Sequence, residues 1–177
     1  MTTIVVRRVT STDAVTVAEL RHSALGNEPH AFAMSMTQLA HPSHHSWHQL
    51  CARYSTGPNS IFVADTGDAI VGMVGCRSDE SPKMHHCGML WGLYVALPLR
   101  GNGVAHMLLD AVIAHGVTQQ WRMLKLSVTV YQHAAIRLYQ RCGFTPYAHE
   151  PALLYIDNEE IDALHMVYRY HVGGTQQ

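Results

Sequence analysis

The sequence of residues 87–130, CGMLWGLYVALPLRGNGVAHMLLDAVIAHGVTQQWRMLKLSVTV, decides the fold. It opens with an apolar run of strand length, Cys87 to Val95. From Gly103 the apolar residues follow the i, i+3, i+4, i+7, i+8 spacing of an amphipathic helix, which ends near Gly116 or Gln119. Met123 to Val130 then alternates apolar and polar side chains, and this alternation predicts a second strand. The segment is therefore a β-α-β unit with a parallel crossover.

The residues upstream predict two helices and the start of a sheet. Thr3 to Val9 has the composition of a strand, and Ser11-Thr12-Asp13 supplies N-cap chemistry for a helix to about Leu25. Residues 26 to 43 have no clean period, so we expect a loop with at most a short turn of helix, followed by a helix around Trp47 to Tyr54.

Two apolar runs between this helix and the β-α-β unit predict an antiparallel meander. The runs Ile61–Ala64 and Ala69–Cys76 are separated by Asp65-Thr66-Gly67-Asp68, whose residues suit a tight hairpin. A break from Arg77 to Met84 precedes the run from Cys87. Three antiparallel strands follow from this pattern.

Downstream, a second helix and two closing strands are predicted. Helical spacing relates Ala135, Leu138, Tyr139 and Cys142, and Gly143 stands where a left-handed C-cap would end the helix. The closing strands are Phe144 to Tyr147 and Ala163 to Tyr170, with a polar tail after His171. The order of elements predicts an α/β or α+β fold.

Composition limits the classes of function. A chain of 177 residues with 47% hydrophobic and 14% charged residues fits one globular domain, with a core from about residue 3 to residue 171. A net charge of −1 argues against nucleic acid and anionic membrane as partners. The four cysteines form no CxxC pair, and the N-terminus lacks a signal-peptide pattern, so we expect a soluble, cytoplasmic protein. A homodimer is compatible with this composition.

The fourteen histidines raise the question of a metal. His44 and His48 would share a helix face next to His45, but a zinc site needs three or four convergent ligands, and no HExxH or cysteine pair accompanies them. We therefore expect a solvated helix face and no metal.

The turn between the first strand of the β-α-β unit and its helix, Leu99-Arg100-Gly101-Asn102-Gly103-Val104-Ala105, suits an anionic ligand. Glycines let main-chain amides approach a ligand closely, and a helix N-terminus presents unpaired N–H groups, so a pyrophosphate is the natural guest. A dinucleotide-binding turn would need a small residue at His106, and a P-loop would need Gly-Lys-Ser/Thr. Neither pattern is present.

These residues resemble a known superfamily. Arg100-x-x-Gly103-x-Ala105 matches the Q/R-x-x-G-x-G/A signature of the GCN5-related N-acetyltransferases (GNAT), and Ala135 to Phe144 resembles their A-x-x-L-Y-x-x-x-G-F stretch at the family's spacing. The resemblance extends over nearly the whole chain. It implies a mixed, mostly antiparallel sheet of about seven strands, splayed at strands 4 and 5 and flanked by about four helices.

The resemblance also implies acetyl-CoA as acyl donor. The cofactor-binding residues that it implies are Leu93, Tyr94, Val95, Arg100, Gly101, Asn102, Gly103, Val104, Ala105, Gln132 and Tyr139. The splayed strand end would offer main-chain N–H groups to the pantetheine arm and to the oxyanion. Tyr139 would protonate the leaving thiolate as general acid, although a core aromatic at this helix position is the alternative.

Two departures from the family pattern concern contacts and proton transfer. Gln132 stands where members often have asparagine. No carboxylate occurs from Met84 to Ala96, where many members have a glutamate that acts as the general base. His85 and His86 are alternatives for the base, as are Glu28 and Glu150. We assign no base from the sequence.

The resemblance makes residues 25 to 47 the acceptor wall, including Glu28, His30, Phe32, Met34 and Met36. The expected function is direct transfer of an acetyl group to an amine of a small molecule or a peptide. An acyl-enzyme on Cys87 or Cys142 is a weaker alternative, because neither cysteine has a recognisable His and carboxylate arrangement. A catalytically silent acyl-CoA sensor or interaction module on the same fold is the alternative from another class.

Overall fold

A computed structural model of the chain describes residues 3–33 and 44–171. Within these ranges the strands and α-helices are, in chain order, β1 (Val5–Arg8), α1 (Ala14–Asn27), α2 (His44–Tyr54), β2 (Ser60–Asp65), β3 (Ile70–Ser78), β4 (Cys87–Val95), α3 (Val104–Thr118), β5 (Met123–Thr129), α4 (His133–Arg141), β6 (Thr145–Ile156) and β7 (Glu159–Arg169). Met34, Met36, the tail after residue 171 and the side chains of His44 and His45 lie outside the described structure.

The strands form a seven-stranded sheet in the order β1-β2-β3-β4-β5-β7-β6. Neighbouring strands run antiparallel except β4 and β5, which are parallel because α3 forms the crossover between them. The predicted mixed, mostly antiparallel sheet is confirmed.

Strands β4 and β5 diverge along their length. They pair at three positions near their starts, Cys87 with Met123, Gly88 with Leu124 and Met89 with Lys125. Beyond these pairs β4 continues to Val95 with β3 on one side. A left-handed Gly92 (φ +67°) and a register shift against β3 bend the strand at this point. The expected splay is confirmed.

The closing hairpin is longer than the sequence predicts. Strands were expected at Phe144 to Tyr147 and Ala163 to Tyr170, but β6 runs to Ile156 and β7 starts at Glu159. The apolar alternation that would reveal β6 is missing because β6 is the edge strand and most of its residues are exposed. Asp157 and Asn158, with φ of +51° and +64°, form the two-residue turn.

The core has two parts, one on each face of the sheet. On one face α3 packs through Leu108, Leu109 and Val112, and Phe144 joins this cluster. On the other face α1 and α2 pack through residues such as Val17 and Cys51. Side chains of neighbouring β3 residues point to opposite faces, so Val74 packs in the first cluster and Met73 in the second. No helix in the described ranges is long and apolar enough to cross a membrane.

An ion pair between Arg7 and Asp13 stabilises the start of α1, and its contribution to stability should depend on pH. Arg7 donates to both carboxylate oxygens of the buried Asp13 (2.7 and 2.9 Å) and to Asp65 (2.8 Å). The pair with Arg7 lowers the pKa of Asp13 to about 2, and the main-chain N–H and the hydroxyl of Thr10 also donate to this carboxylate.

We expect Asp13→Asn to lower the free energy of unfolding by roughly 1 to 3 kcal/mol at neutral pH. Because the folded pKa lies below the unfolded value of about 3.9, the stabilisation is present above that value and disappears as the pH falls towards 2. Chemical denaturation of the wild type and Asp13→Asn from pH 7 to pH 2 measures this. The exposed Asp68→Asn is the control, and a stability difference that stays constant with pH would contradict the assignment.

Candidate functional site

A cavity of about 500 Å³ opens where β4 diverges from β5. Its walls are the second half of β4, the turn before α3, the first turn of α3, the helix α4 and the segment after α1. Among the lining residues are Glu28, Phe32, Trp91, Gly92, Leu93, Tyr94, Val95, Arg100, Gly101, Gly103, Val104, Ala105, Gln132 and Tyr139. The topology brings these distant segments together because a splayed pair leaves a cleft at the strand ends.

All the residues predicted to bind the cofactor line this cavity except Asn102. The Asn102 side chain is exposed, and its amide lies near the carbonyl oxygens of Leu99 (3.4 Å) and Arg100 (3.3 Å). Any contribution of Asn102 to a ligand would therefore come from its main chain.

The turn before α3 presents a row of main-chain donors. Gly101 and Gly103 adopt left-handed φ values of +81° and +79°, and a Cβ on either would meet no atom within 4 Å. For the N–H groups of residues 101 to 106 the described residues provide no acceptor, whereas Met107 donates to the Gly103 carbonyl (3.1 Å). Unpaired N–H groups at a helix N-terminus are suited to hold phosphate oxygens.

Arg100 has protein partners in this structure. Its Nε donates to the Val95 carbonyl (3.0 Å), its Nη1 donates to Glu28 Oε1 (2.7 Å), and its guanidinium lies over the Tyr94 ring (5.4 Å to the centroid). The guanidinium therefore ties the turn to the end of β4 and to the end of α1. A phosphate contact, which the sequence predicts, would compete with Glu28.

The end of β4 offers main-chain groups on one edge. Tyr94 and Val95 pair with Met73 and Gly72 of β3, and the edge that faces β5 has no strand partner there. Asn27 of α1 donates to the Tyr94 hydroxyl (2.8 Å) and fixes the ring beside the cavity. A rigid strand edge of this kind can supply donors to a carbonyl oxygen.

Tyr139 belongs to the core and also lines the cavity. It is 6% exposed, packs edge-on against Phe144 (5.7 Å between centroids) and lies in the cluster under α3. Burial raises the pKa of Tyr139 above its ordinary value. The phenol therefore remains protonated at neutral pH, as a proton donor must, and the two interpretations of this residue are compatible.

Glu28 and Gln132 meet across the cavity mouth. Gln132 Nε2 lies 3.4 Å from Glu28 Oε2, while the other oxygen of Glu28 accepts from Arg100. Glu28 is the sole carboxylate among the described residues that line the cavity. The longer amide of Gln132 thus has a protein partner that the sequence does not reveal.

The other candidate bases lie elsewhere. His85 and His86 precede β4 at its opposite end and line a different cavity, of about 1170 Å³, with Trp121 and Tyr170. Glu150 is on the edge strand β6 and pairs with His165 (2.6 Å). Neither the two histidines nor Glu150 line the cavity at the splay.

Several lining residues escaped the sequence analysis. Trp91, Ser127, His106 and Arg141 all line the cavity. Trp91 looks like an ordinary strand residue, and Ser127 lies on the polar face of β5, so neither carries a local signal. His106 and Arg141 do carry such a signal, because His106 directly follows the motif that ends at Ala105 and Arg141 lies within the motif from Ala135 to Phe144.

Cysteines and metal ligands do not form a separate site in the described ranges. The four cysteines are free, and burial raises the pKa of Cys51 to about 11 and that of Cys76 to about 12. Neither Cys87 nor Cys142 lines the cavity at the splay. The described residues contain no group of three or more His, Cys, Asp or Glu side chains that could hold a metal ion.

Comparisons with known proteins agree on one family. The family model of the acetyltransferase (GNAT) family matches residues 27–144. An N-acetyltransferase family 8 member 2 from Rattus norvegicus is 31% identical over 97 residues, which are 54% of this chain and 43% of that protein. The chain spans less than half the length of the curated relatives it matches.

Solved structures share the fold. The acetyltransferase of the GNAT family from Streptococcus pneumoniae superimposes with a TM-score of 0.86 at 20% identity, covering 95% of this chain and 100% of that one. The structure of yncA from Salmonella typhimurium with its cofactor acetyl-CoA gives a TM-score of 0.78 at 15% identity, covering 99% and 98% of the two chains.

Proposed function

This chain belongs to the acetyltransferase (GNAT) family, and from that premise we propose that it transfers an acetyl group from acetyl-CoA to an amine by direct attack. The observation that carries the proposal is the cavity itself. It joins a row of unpaired N–H groups before α3, the splayed end of β4 and the phenol of Tyr139. An anion site, an oxyanion site and an acid are the parts that acyl transfer from a thioester requires.

In the proposed complex the pyrophosphate of acetyl-CoA lies against the N–H groups of residues 101 to 106. Arg141, which lines the same cavity, adds a positive charge. The pantetheine arm follows the free edge of β4 from Val95 towards Leu93. Arg100 either stays with Glu28 or exchanges that partner for a phosphate oxygen.

The chemical step needs no covalent enzyme intermediate. The neutral amine attacks the thioester carbonyl, and the new C–N bond pushes the carbonyl electrons onto oxygen, where main-chain donors of β4 stabilise the charge. Collapse of this intermediate breaks the C–S bond and Tyr139 gives its proton to the departing sulfur. The nitrogen then loses its extra proton to form the neutral amide, and this proton returns to the Tyr139 oxygen directly or through water. The proton lost by the ammonium of the acceptor goes to a base and finally to solvent, so the sum is an amide, free coenzyme A and a proton.

We propose Glu28 as the group that accepts the proton from the acceptor, directly or through water. It is the carboxylate on the cavity wall, and Arg100 and Gln132 hold its two oxygens in place. Glu28→Gln keeps the shape of the side chain and one acceptor oxygen for Arg100 but removes the basic site. We expect kcat/KM to fall about 10²-fold.

The matched control for Glu28 is the double variant His85→Gln with His86→Gln. These histidines line the other cavity, so we expect kcat/KM to be unchanged. Steady-state thiol release between pH 5.5 and pH 9 compares the variants. A loss of kcat/KM in the histidine variant, with wild-type kcat/KM in Glu28→Gln, would assign the base to the histidines.

The function is tested by thiol release from acetyl-CoA with a panel of amines. Calorimetry with acetyl-CoA alone measures binding first, and mass spectrometry then identifies an acetylated product. Binding without thiol release from any amine would favour the alternative, a catalytically silent acyl-CoA sensor on the same fold.

A further inference from the structure

Arg21 of α1 is a buried cation that has no counter-ion among the described residues. The residue is 7% exposed, and its Nη1 atom is inaccessible to solvent and has no hydrogen-bond partner within residues 3–33 and 44–171. Buried charges in proteins are ordinarily paired, because an unpaired one retains the full cost of its lost hydration. Burial lowers the pKa of Arg21, but an arginine side chain stays protonated. Its missing partner therefore needs an explanation.

The guanidinium lies behind the acceptor side of the cavity. Its Nη1 would be 3.6 Å from a Cβ on Gly92, and its carbon Cζ lies 4.3 Å from the centroid of the Phe32 ring. Gly92 and Phe32 both line the cavity. The absent side chain and the left-handed bend of Gly92 bring the strand backbone close to the cation.

The residue before Gly92 carries a second unpaired donor. The indole Nε1 of Trp91 is buried without a partner among the described residues, and its ring packs edge-on against Tyr54 (5.8 Å between centroids). Glu28, the carboxylate on the cavity wall, is already bonded to Arg100 and Gln132. Arg21 and Trp91 are therefore buried donors without an acceptor in the part of the chain that the structure describes.

We propose that Arg21 binds a carboxylate carried by the amine acceptor, so that the acceptors are amino acids with a free carboxylate close to the amine. This inference rests on the proposed acetyl transfer and specifies its substrate class. Arg21 does not itself line the cavity, so the acceptor carboxylate reaches the guanidinium beside Gly92 after the Phe32 ring that covers it moves aside. A guanidinium and a carboxylate form two parallel hydrogen bonds, and exclusion of water strengthens that pair.

Discrimination follows from the cost of leaving the cation unpaired. An amide or an amine without a carboxylate that fills the same space offers no negative charge to Arg21. Loss of one partner of a desolvated ion pair weakens binding substantially, so we expect an acid to be preferred over its own amide at least about 30-fold in kcat/KM. The amide is the less basic amine, so amine reactivity alone would favour the amide.

A purely structural role for Arg21 makes the opposite prediction for stability. If its stacking on Phe32 held the fold together, Arg21→Met would unfold more easily. If the cation is kept for a ligand, replacing it with an apolar side chain of similar length should leave the melting temperature unchanged or raise it. Arg53→Met, on the exposed face of α2, is the matched control.

The kinetic test uses matched pairs on the full chain. Thiol release from acetyl-CoA is measured with each of the twenty amino acids and with its α-amide. In the wild type we expect the acids to be preferred, in Arg21→Met we expect the ratio to approach one through a higher KM for the acids, and in Arg53→Met we expect the wild-type ratio. Equal use of acids and amides by the wild type, or a preference that survives in Arg21→Met, would overturn the proposal.

A binding test separates this inference from the proposed reaction. With coenzyme A bound, 4-methylpentanoate and 3-phenylpropanoate lack the amine and cannot react, but they carry the carboxylate. We expect them to raise the melting temperature of the wild type more than their amides do, and to lose that advantage in Arg21→Met. No shift with any carboxylate overturns the role of Arg21 even if acetyl transfer occurs, whereas a shift without thiol release supports Arg21 and contradicts the reaction.

Discussion

Gly103→Val is expected to weaken acetyl-CoA binding at least about 100-fold while the chain remains folded. A Cβ at 103 would meet no protein atom within 4 Å, so it enters the open space at the turn whose N–H groups, residues 101 to 106, have no acceptor among the described residues. A branched side chain there would occupy the volume that the pyrophosphate needs. Isothermal calorimetry with acetyl-CoA measures the affinity, and circular dichroism measures the fold.

Gly67→Val is the matched control for backbone strain. Gly67, in the β2–β3 hairpin, has φ +88° against +79° for Gly103, and a Cβ on it likewise meets no atom within 4 Å. Each substitution should cost about 1 to 3 kcal/mol of stability for the left-handed conformation. Only Gly103→Val should affect the ligand. Equal affinities in the two variants would contradict the phosphate site, and Gly103→Ala provides a milder test if the valine variant does not fold.

Tyr139→Phe is expected to lower kcat by about 10²-fold or more with little change in acetyl-CoA affinity. Phenylalanine keeps the packing against Phe144 but has no proton for the leaving sulfur. Since burial raises the pKa of Tyr139, the wild-type phenol is protonated throughout the neutral range, and no basic limb from this group should appear below about pH 10. Pre-steady-state thiol release and calorimetry separate the chemical step from binding.

Tyr168→Phe is the control for loss of a phenol. Tyr168 packs on the same Phe144 (5.6 Å between centroids) but lines the cavity with His85 and His86 rather than the one at the splay. We expect its kcat to equal that of the wild type. Wild-type turnover in Tyr139→Phe would return this residue to a packing role, and equal losses in both variants would indicate a disturbed core.

The local pattern was sufficient for the elements that carry strong periodicity or a glycine turn. The predicted helix from Gly103 and the strand from Cys87 to Val95 agree with α3 and β4 to within a residue or two. Gly103 was identified by the glycine turn before the helix and Tyr139 by the resemblance to the family motif, and both line one cavity in the structure. Spacing works here because a turn and the helix after it are determined by residues adjacent in sequence.

The contacts between segments that are distant in sequence could not be predicted from the sequence. Glu28 meets Arg100 and Gln132 only because β4 and β5 diverge and bring the end of α1 to the mouth of the cavity. The extent of β6 was missed because an exposed edge strand needs no apolar alternation.

Chemistry that depends on one stretch of chain, the glycine turn before α3 and the tyrosine helix α4, could be inferred from residue order, because main-chain donors and helical faces follow from local geometry. Chemistry that depends on burial could not. Nothing in the order of residues distinguishes Arg21 from a solvated arginine on the surface of α1, since its missing counter-ion results from packing against Gly92 and Phe32. Desolvation is a property of the packed chain, and it alone makes that charge a determinant of the acceptor.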